Sequence, residues 1–164
     1  MIEVRKGEVV EVKDGEVARV HKRGEAEVRD GGKASVLKGG EAHVYEGGLV
    51  TVWRGGFGCV FENGRAIVRK GGRVFVTTGG SAVVRGGFAE VRDGGKAIIE
   101  DGGNAWACNG GEVEVREGGR VVVHWGGKAE VVEGGRAQVY EGGLATGPGK
   151  IIYVDRHIAL APGF

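Results

Sequence analysis

Two cysteines and four histidines are the residues of this chain most suited to covalent or metal chemistry, and their surroundings decide whether they can perform it. Cys59 lies between Phe57 and Phe61, and Cys108 follows Trp106 by two residues. A thiol attacks as its thiolate, which needs a base or cation beside it, whereas apolar neighbours raise its pKa. The two cysteines fit no zinc or redox spacing and read as outward-facing free thiols. His21, His43, His124 and His157 are scattered, with no second histidine or carboxylate at a metal-ligand spacing. Gly147-Pro148-Gly149-Lys150 has the look of a phosphate loop, but Ile151 follows the lysine where that loop needs Ser or Thr. It reads as a turn leaving the repeats. Asp155, Arg156 and His157 are adjacent, so their side chains diverge and make no triad. The expectation is a protein with no catalytic residue, no metal and no cofactor.

The elements that carry these residues are unusually regular. Glycine pairs fall at Gly31-Gly32, Gly39-Gly40, Gly47-Gly48 and onward every eight residues, and Gly7, Gly15, Gly24 and Gly64 hold the same slots singly. One residue is missing between Arg85 and Gly86, after which the pairs resume. Of the 36 glycines, 32 occupy these slots, so glycine serves as punctuation. Between corners the residues alternate in period two, as in a strand with one buried face. Every inward slot from Ile2 to Val139 holds Ala, Val or Ile except Gly58. Each GGxAxVxx octad is therefore a short strand and a sharp corner, in which glycine takes the positive φ that other residues resist. Stacked at about 4.8 Å, such octads complete one another's backbone hydrogen bonds and build a continuous apolar interior.

Eight residues cannot encircle a core, so the coil needs more than one octad. Numbered from Gly7, the odd octads carry outward Tyr45, Phe57, Phe61, Phe75, Phe88, Trp106, Trp125 and Tyr140, whereas the even ones carry Trp53. The residue before each corner alternates in sign from Asp14 and Lys22 through Asp30, Lys38, Glu46, Arg54 and Glu62 to Lys70. Both patterns have a period of two octads. The fold class expected is all-β, a single-chain two-sheet parallel β-solenoid with 16-residue coils over residues 1–143. The alternative is an interleaved triple-stranded β-helix homotrimer, which relieves the stacking of like charges. Residues 144–164 lose the octad and read as a folded-back C-terminal cap or tip.

These octads resemble three known families. Repeat length and paired inward residues are similar to the needle of phage tail spikes and related secretion spikes, which are interleaved trimers. The doubled glycine and thin Ala/Val interior look like the glycine-rich β-rolls of secreted toxins and the sixteen-residue coils of ice-nucleation proteins. The β-roll calcium turn GGxGxD is absent, since the corners here read DGGK, KGGE or EGGR. Ranked threonines for ordering ice are absent too.

Function is therefore sought on the surface. Net charge is +1 without a basic block, which leaves nucleic acid without a footprint. No apolar run approaches the roughly 18 residues of a membrane helix, and Met1 leads directly into an alternating stretch instead of a signal peptide, so cytoplasmic synthesis is expected, with a virion or secretion apparatus as one destination. Outward slots turn apolar in mid-chain at Phe57, Cys59, Phe61, Ile67, Phe75, Val83, Phe88, Ile98, Trp106 and Val122. Such a band marks an interface. The edge strand at Ile2 and Val4 shows no cap in the sequence and is expected to be covered by a second copy. The reading is a non-enzymatic structural protein that forms a homo-oligomer. Its alternatives are a spike or fibre component of a phage or secretion apparatus, and a binding module that recognises a protein or glycan through its aromatic face.

Overall fold

The structure is a computed structural model and describes residues 1–154. In chain order the strands are β1 (Ile2–Val4), β2 (Val9–Val12), β3 (Val17–Val20), β4 (Glu25–Val28), β5 (Lys33–Val36), β6 (Glu41–Val44), β7 (Leu49–Val52), β8 (Phe57–Val60), β9 (Arg65–Val68), β10 (Arg73–Val76), β11 (Ser81–Arg85), β12 (Phe88–Val91), β13 (Lys96–Glu100), β14 (Asn104–Ala107), β15 (Glu112–Val115), β16 (Arg120–Val123), β17 (Lys128–Val131), β18 (Arg136–Val139), β19 (Leu144–Thr146) and β20 (Lys150–Tyr153). Odd strands form one ten-stranded sheet and even strands form another. Pairing is parallel at an offset of sixteen residues, as in Ile2↔Ala18 and Val4↔Val20. Consecutive octads thus lie in different sheets, and the in-sheet neighbour comes from the same chain. That is the single-chain solenoid; the interleaved trimer is not the arrangement adopted.

The interior follows the period-two pattern. Val4, Val20, Val36, Val52 and Val68 are fully buried down the odd sheet, and Val12, Val28, Val44 and Val60 down the even one. Burying one such side chain is worth about 1.5–3 kcal/mol, and no single residue dominates so thin a core. Gly58 sits between Ala42 and Val74 in the even sheet. A Cβ there would lie 3.3 Å from Val52 Cγ2 and 3.4 Å from Val74 Cγ1, so the glycine offsets a valine where alanine is the commoner neighbour.

The doubled glycine has two separate causes. At the corner Arg29 to Gly32, the Gly32 amide donates to Arg29 O at 2.8 Å, closing a four-residue turn. Asp30 and Gly31 both have positive φ, at 47° and 85°, the pattern of a type I′ turn. The second glycine needs space rather than φ, because a Cβ on Gly24 would lie 2.6 Å from the carbonyl oxygen of Val4 on the coil beneath. The corner amides then link coils, with Asp14 donating to Asp30 O at 3.0 Å and Asp30 to Glu46 O at 2.9 Å. This makes one acidic column, while Lys22, Lys38 and Arg54 stack against Gly39, Gly55 and Gly71 on the other edge.

The one-residue deletion is absorbed at Gly86-Gly87. Strand β11 runs on to Arg85, and the offset becomes fifteen, with Arg73↔Phe88 and Ser81↔Lys96. Registers recover at once. At the other end, residues 144–153 add β19 to β17 at an offset of sixteen, Lys128↔Leu144, and β20 to β18 at an offset of fourteen, Arg136↔Lys150, which makes a tenth coil with a shortened corner. The Gly-Pro-Gly-Lys stretch is its corner, with Gly147 at φ 111° and the Gly149 amide donating to Val131 O at 2.9 Å. Asp155, Arg156 and His157 lie outside the described residues.

Candidate functional site

Two flat outward faces run the length of the solenoid, and they differ. The even-strand face receives Phe57, Cys59, Phe61, Phe75, Phe88, Trp106 and Val122, whereas Ile67, Val83 and Ile98 fall on the odd-strand face. The mid-chain apolar slots are thus one belt in height and two patches in space. Parallel register is the cause, since residues sixteen apart in sequence stack into one column and residues eight apart are sent to opposite sheets.

On the even face the aromatic rings meet from coil to coil. Tyr45 and Phe61 stack at 5.5 Å between centroids, and His43 stacks on Phe61 at 6.4 Å. Further up, Phe88 meets Trp106 edge-on at 5.2 Å, Trp106 meets His124 edge-on at 6.2 Å, and His124 stacks on Tyr140 at 5.2 Å. Arginines cover the rings between these runs: Arg92 lies 5.8 Å from the Phe75 centroid and Arg73 lies 5.6 Å from that of Phe88. Trp106 is 46% exposed and Trp125 70% exposed, so two indoles offer open surface despite the ladder.

On the odd face Ile67, Val83 and Ile98 are directly paired neighbours in one column, continued below by Thr51 and above by Glu114. A trough of about 750 Å3 runs here, lined by these three, Leu49 and the edges of Ala66, Ala82 and Ala97. Arg65, Lys96 and Lys128 line it together with Glu112, Glu114 and Glu130, and Lys96 Nζ reaches Glu112 Oε2 at 3.4 Å. Sequence reading alone did not separate this trough from the aromatic face. The signal was present in the parity of the octads, because Ile67, Val83 and Ile98 all belong to octads without aromatics.

The N-terminal third of both faces is polar and cross-linked between coils. Arg29 bridges Glu11 at 2.8 Å and Glu27 at 3.2 Å, and His43 lies 3.3 Å from Glu25 and 3.5 Å from Glu41. His21 Nε2 meets Glu3 Oε2 at 2.5 Å, and that hydrogen bond holds the Glu3 carboxyl below the usual carboxylate range. Higher up, Arg85 and Arg116 converge on Glu100 at 2.6 and 3.4 Å, the Arg85 hydrogen bond lowering its pKa most.

Burial pushes the Cys59 thiol up to about 11, with Glu41 adding to the effect. Burial also raises Cys108, against the pull of Arg92. Both thiols are free and half-buried on the even side, separated by three coils, roughly 14 Å at the spacing of parallel strands. Among the described residues no three His, Cys, Asp or Glu side chains group as a metal site. No helix among them is long and apolar enough to cross a membrane.

At the edge, Val4 is fully buried and Ile2 packs partly buried against the core. The corner amides that follow, of Arg5 and Lys13, donate to the carboxylates of Glu8 and Glu16 at 2.6 and 3.1 Å.

No protein-family model matches the chain, and no curated protein matches it. Among solved structures, the crystal structure of a TibC-catalyzed hyper-glycosylated TibA fragment aligns over 94% of this chain and 92% of that chain at 21% identity. The TM-score is 0.29, and a likeness that loose carries no argument about role. The molecule's own register identifies it as a parallel β-solenoid of ten two-strand coils.

Proposed function

We propose that this protein is a non-enzymatic structural solenoid that associates side by side with further copies through the apolar belt around its middle. The observation that carries the reading is the coincidence in height of the Ile67-Val83-Ile98 column on one face and the apolar residues Phe57, Phe75, Phe88 and Trp106 on the other. Parallel coils hold such a surface rigid before any partner arrives, so little conformational entropy is lost on docking. The polar, cross-linked stretch at Glu11, Arg29 and His43 bounds the belt on its N-terminal side along the even face. The raised thiol pKa values and the scattered histidines support a role without catalysis.

Absolute mass in solution tests this, read together with the dissociation constant of a Val83→Glu variant. The expected result is a wild-type oligomer that weakens at least tenfold on placing a carboxylate in the column. A wild type that remains monomeric at high concentration ends the proposal. A phage or secretion spike component is one specific setting for such a rod, and it stands on repeat resemblance alone.

A second reading has its own support. Trp106 and Trp125 leave ring surface open beside His124 and Tyr140, an arrangement suited to stacking on sugar C–H faces or a protein surface. A Phe75→Ala/Trp106→Ala double variant distinguishes the two. Loss of the oligomer supports assembly, while an intact oligomer that no longer binds an oligosaccharide panel captured by the wild type supports recognition.

A further inference from the structure

The N-terminal end of the stack has a different corner chemistry from all coils above it. In the second coil, the amides of His21 and Arg29 donate downward to the carbonyls of Val4 and Val12, at 2.9 and 3.1 Å. One coil earlier the matching amides belong to Arg5 and Lys13. They donate instead to Glu8 Oε2 and Glu16 Oε2, at 2.6 and 3.1 Å. A carboxylate oxygen thus takes the place that a carbonyl of a lower coil takes elsewhere.

Glu8 and Glu16 occupy the second corner slot, which is glycine at every corner from Gly24 to Gly143. The slot is glycine because a lower coil lies against it: a Cβ on Gly24 would stand 2.6 Å from Val4 O, and one on Gly32 would stand closer still to Val12 O. At Glu8 and Glu16 a whole side chain fills that space. The same two residues therefore satisfy amides that a lower coil would bond and exclude the coil that would bond them. Parallel edge strands otherwise invite pairing with another chain.

We infer that Glu8 and Glu16 form a two-residue edge cap that closes the N-terminal end of the solenoid against the coil of a second copy, so that copies do not stack end to end. This replaces the expectation that Ile2 and Val4 are covered by another copy, and it is independent of side-by-side association, which leaves both ends untouched. The excluded partner is specific: the tenth coil of another copy arriving in parallel register, with its carbonyls toward the slots that glycine occupies in the later coils.

The test is rod length by small-angle scattering, with sedimentation, for the full chain and a Glu8→Gly/Glu16→Gly variant. Ten coils span roughly 45 Å at the parallel-strand spacing. The variant restores the corner of the later coils and is expected to give species of doubled length, with an end-to-end association constant raised at least tenfold. A wild type that already lengthens as strongly overturns the inference, as does a folded variant that stays at the wild-type length. A Glu8→Ala/Glu16→Ala variant keeps the blocking Cβ and removes the carboxylate, which guards against a glycine variant that fails to fold. It is expected to remain at single length while amide exchange at Arg5 and Lys13 accelerates at least tenfold. Unchanged exchange at both amides overturns the cap.

Discussion

The first coil and the coils stacked on it share one octad, yet they differ at the second residue of each corner. The first coil carries Glu8 and Glu16 there, and the rest carry glycine. The first corner slot does not change in this way, because Gly7 and Gly15 have φ of 80° and 81° like Gly39 and Gly47 at 75° and 74°. Of the two glycines, one answers to the local turn and the other to the neighbour below. Only the second becomes dispensable when no coil of the chain lies beneath it.

The largest effect expected from this contrast is at Gly111. A Cβ there falls inside van der Waals contact of Val91 O, part of the backbone that the coil beneath presents. Gly111→Ala is expected to cost about 3 kcal/mol, the upper range of overpacking, because backbone has no rotamer to change. Gly94→Ala sharpens the comparison: φ is 84° but nothing lies within 4 Å of the added carbon. It is expected to cost about 1–2 kcal/mol, the left-handed penalty alone. Chemical denaturation of both variants measures the gap, and equal losses would mean that the two slots do the same work.

A smaller contrast concerns charge between coils. Glu100 is 15% exposed between Arg85 and Arg116, whereas Glu3, beside His21 and Arg19, is 37% exposed. Both carboxyls have folded-state pKa values below their ordinary range. Each therefore contributes stability above its unfolded pKa, and that contribution is lost as pH falls through the folded value. The loss is expected to be greater at Glu100, where solvent screens less. An acid titration of stability with Glu100→Gln and Glu3→Gln checks this, the first flattening the acid limb more.

The smallest effect is kinetic and leaves the fold alone. With its pKa at about 11, Cys59 is expected to alkylate more slowly than Cys108, whose thiol Arg92 partly restrains. Mass-resolved iodoacetamide labelling near pH 8 measures the ratio. Faster labelling at Cys59 would show that the even face opens around β8.

Much of this was legible because the repeat has two independent clocks. The glycine spacing marked the corners, and the Ala and Val slots marked the buried face, so strands down to Lys128–Val131 and Arg136–Val139 could be placed by counting. The tenth coil was less visible, because Leu144-Ala145-Thr146 keeps the inward alanine but replaces the usual valine with Gly147, and its corner drops two residues, the pairing offset falling from sixteen at Lys128↔Leu144 to fourteen at Arg136↔Lys150. The cap was not visible at all. Glu8 and Glu16 look like ordinary surface glutamates until the amides of Arg5 and Lys13 are seen to lack the lower carbonyls that His21 and Arg29 find.

By itself the amino-acid order determined the strand, the corner and the buried face, since these depend on side-chain alternation and on which residues accept positive φ, both properties of a few consecutive residues. It also showed a sixteen-residue period in charge and aromatics, which left a two-octad coil and an interleaved trimer both open. Tertiary structure alone decided that sixteen residues of one chain close the coil and that Ile67 and Phe75 face opposite ways. It also decided which glycines are there for conformation and which for contact. The physical reason is that a contact between coils joins atoms sixteen residues apart, and such a distance becomes definite only when the stack has formed.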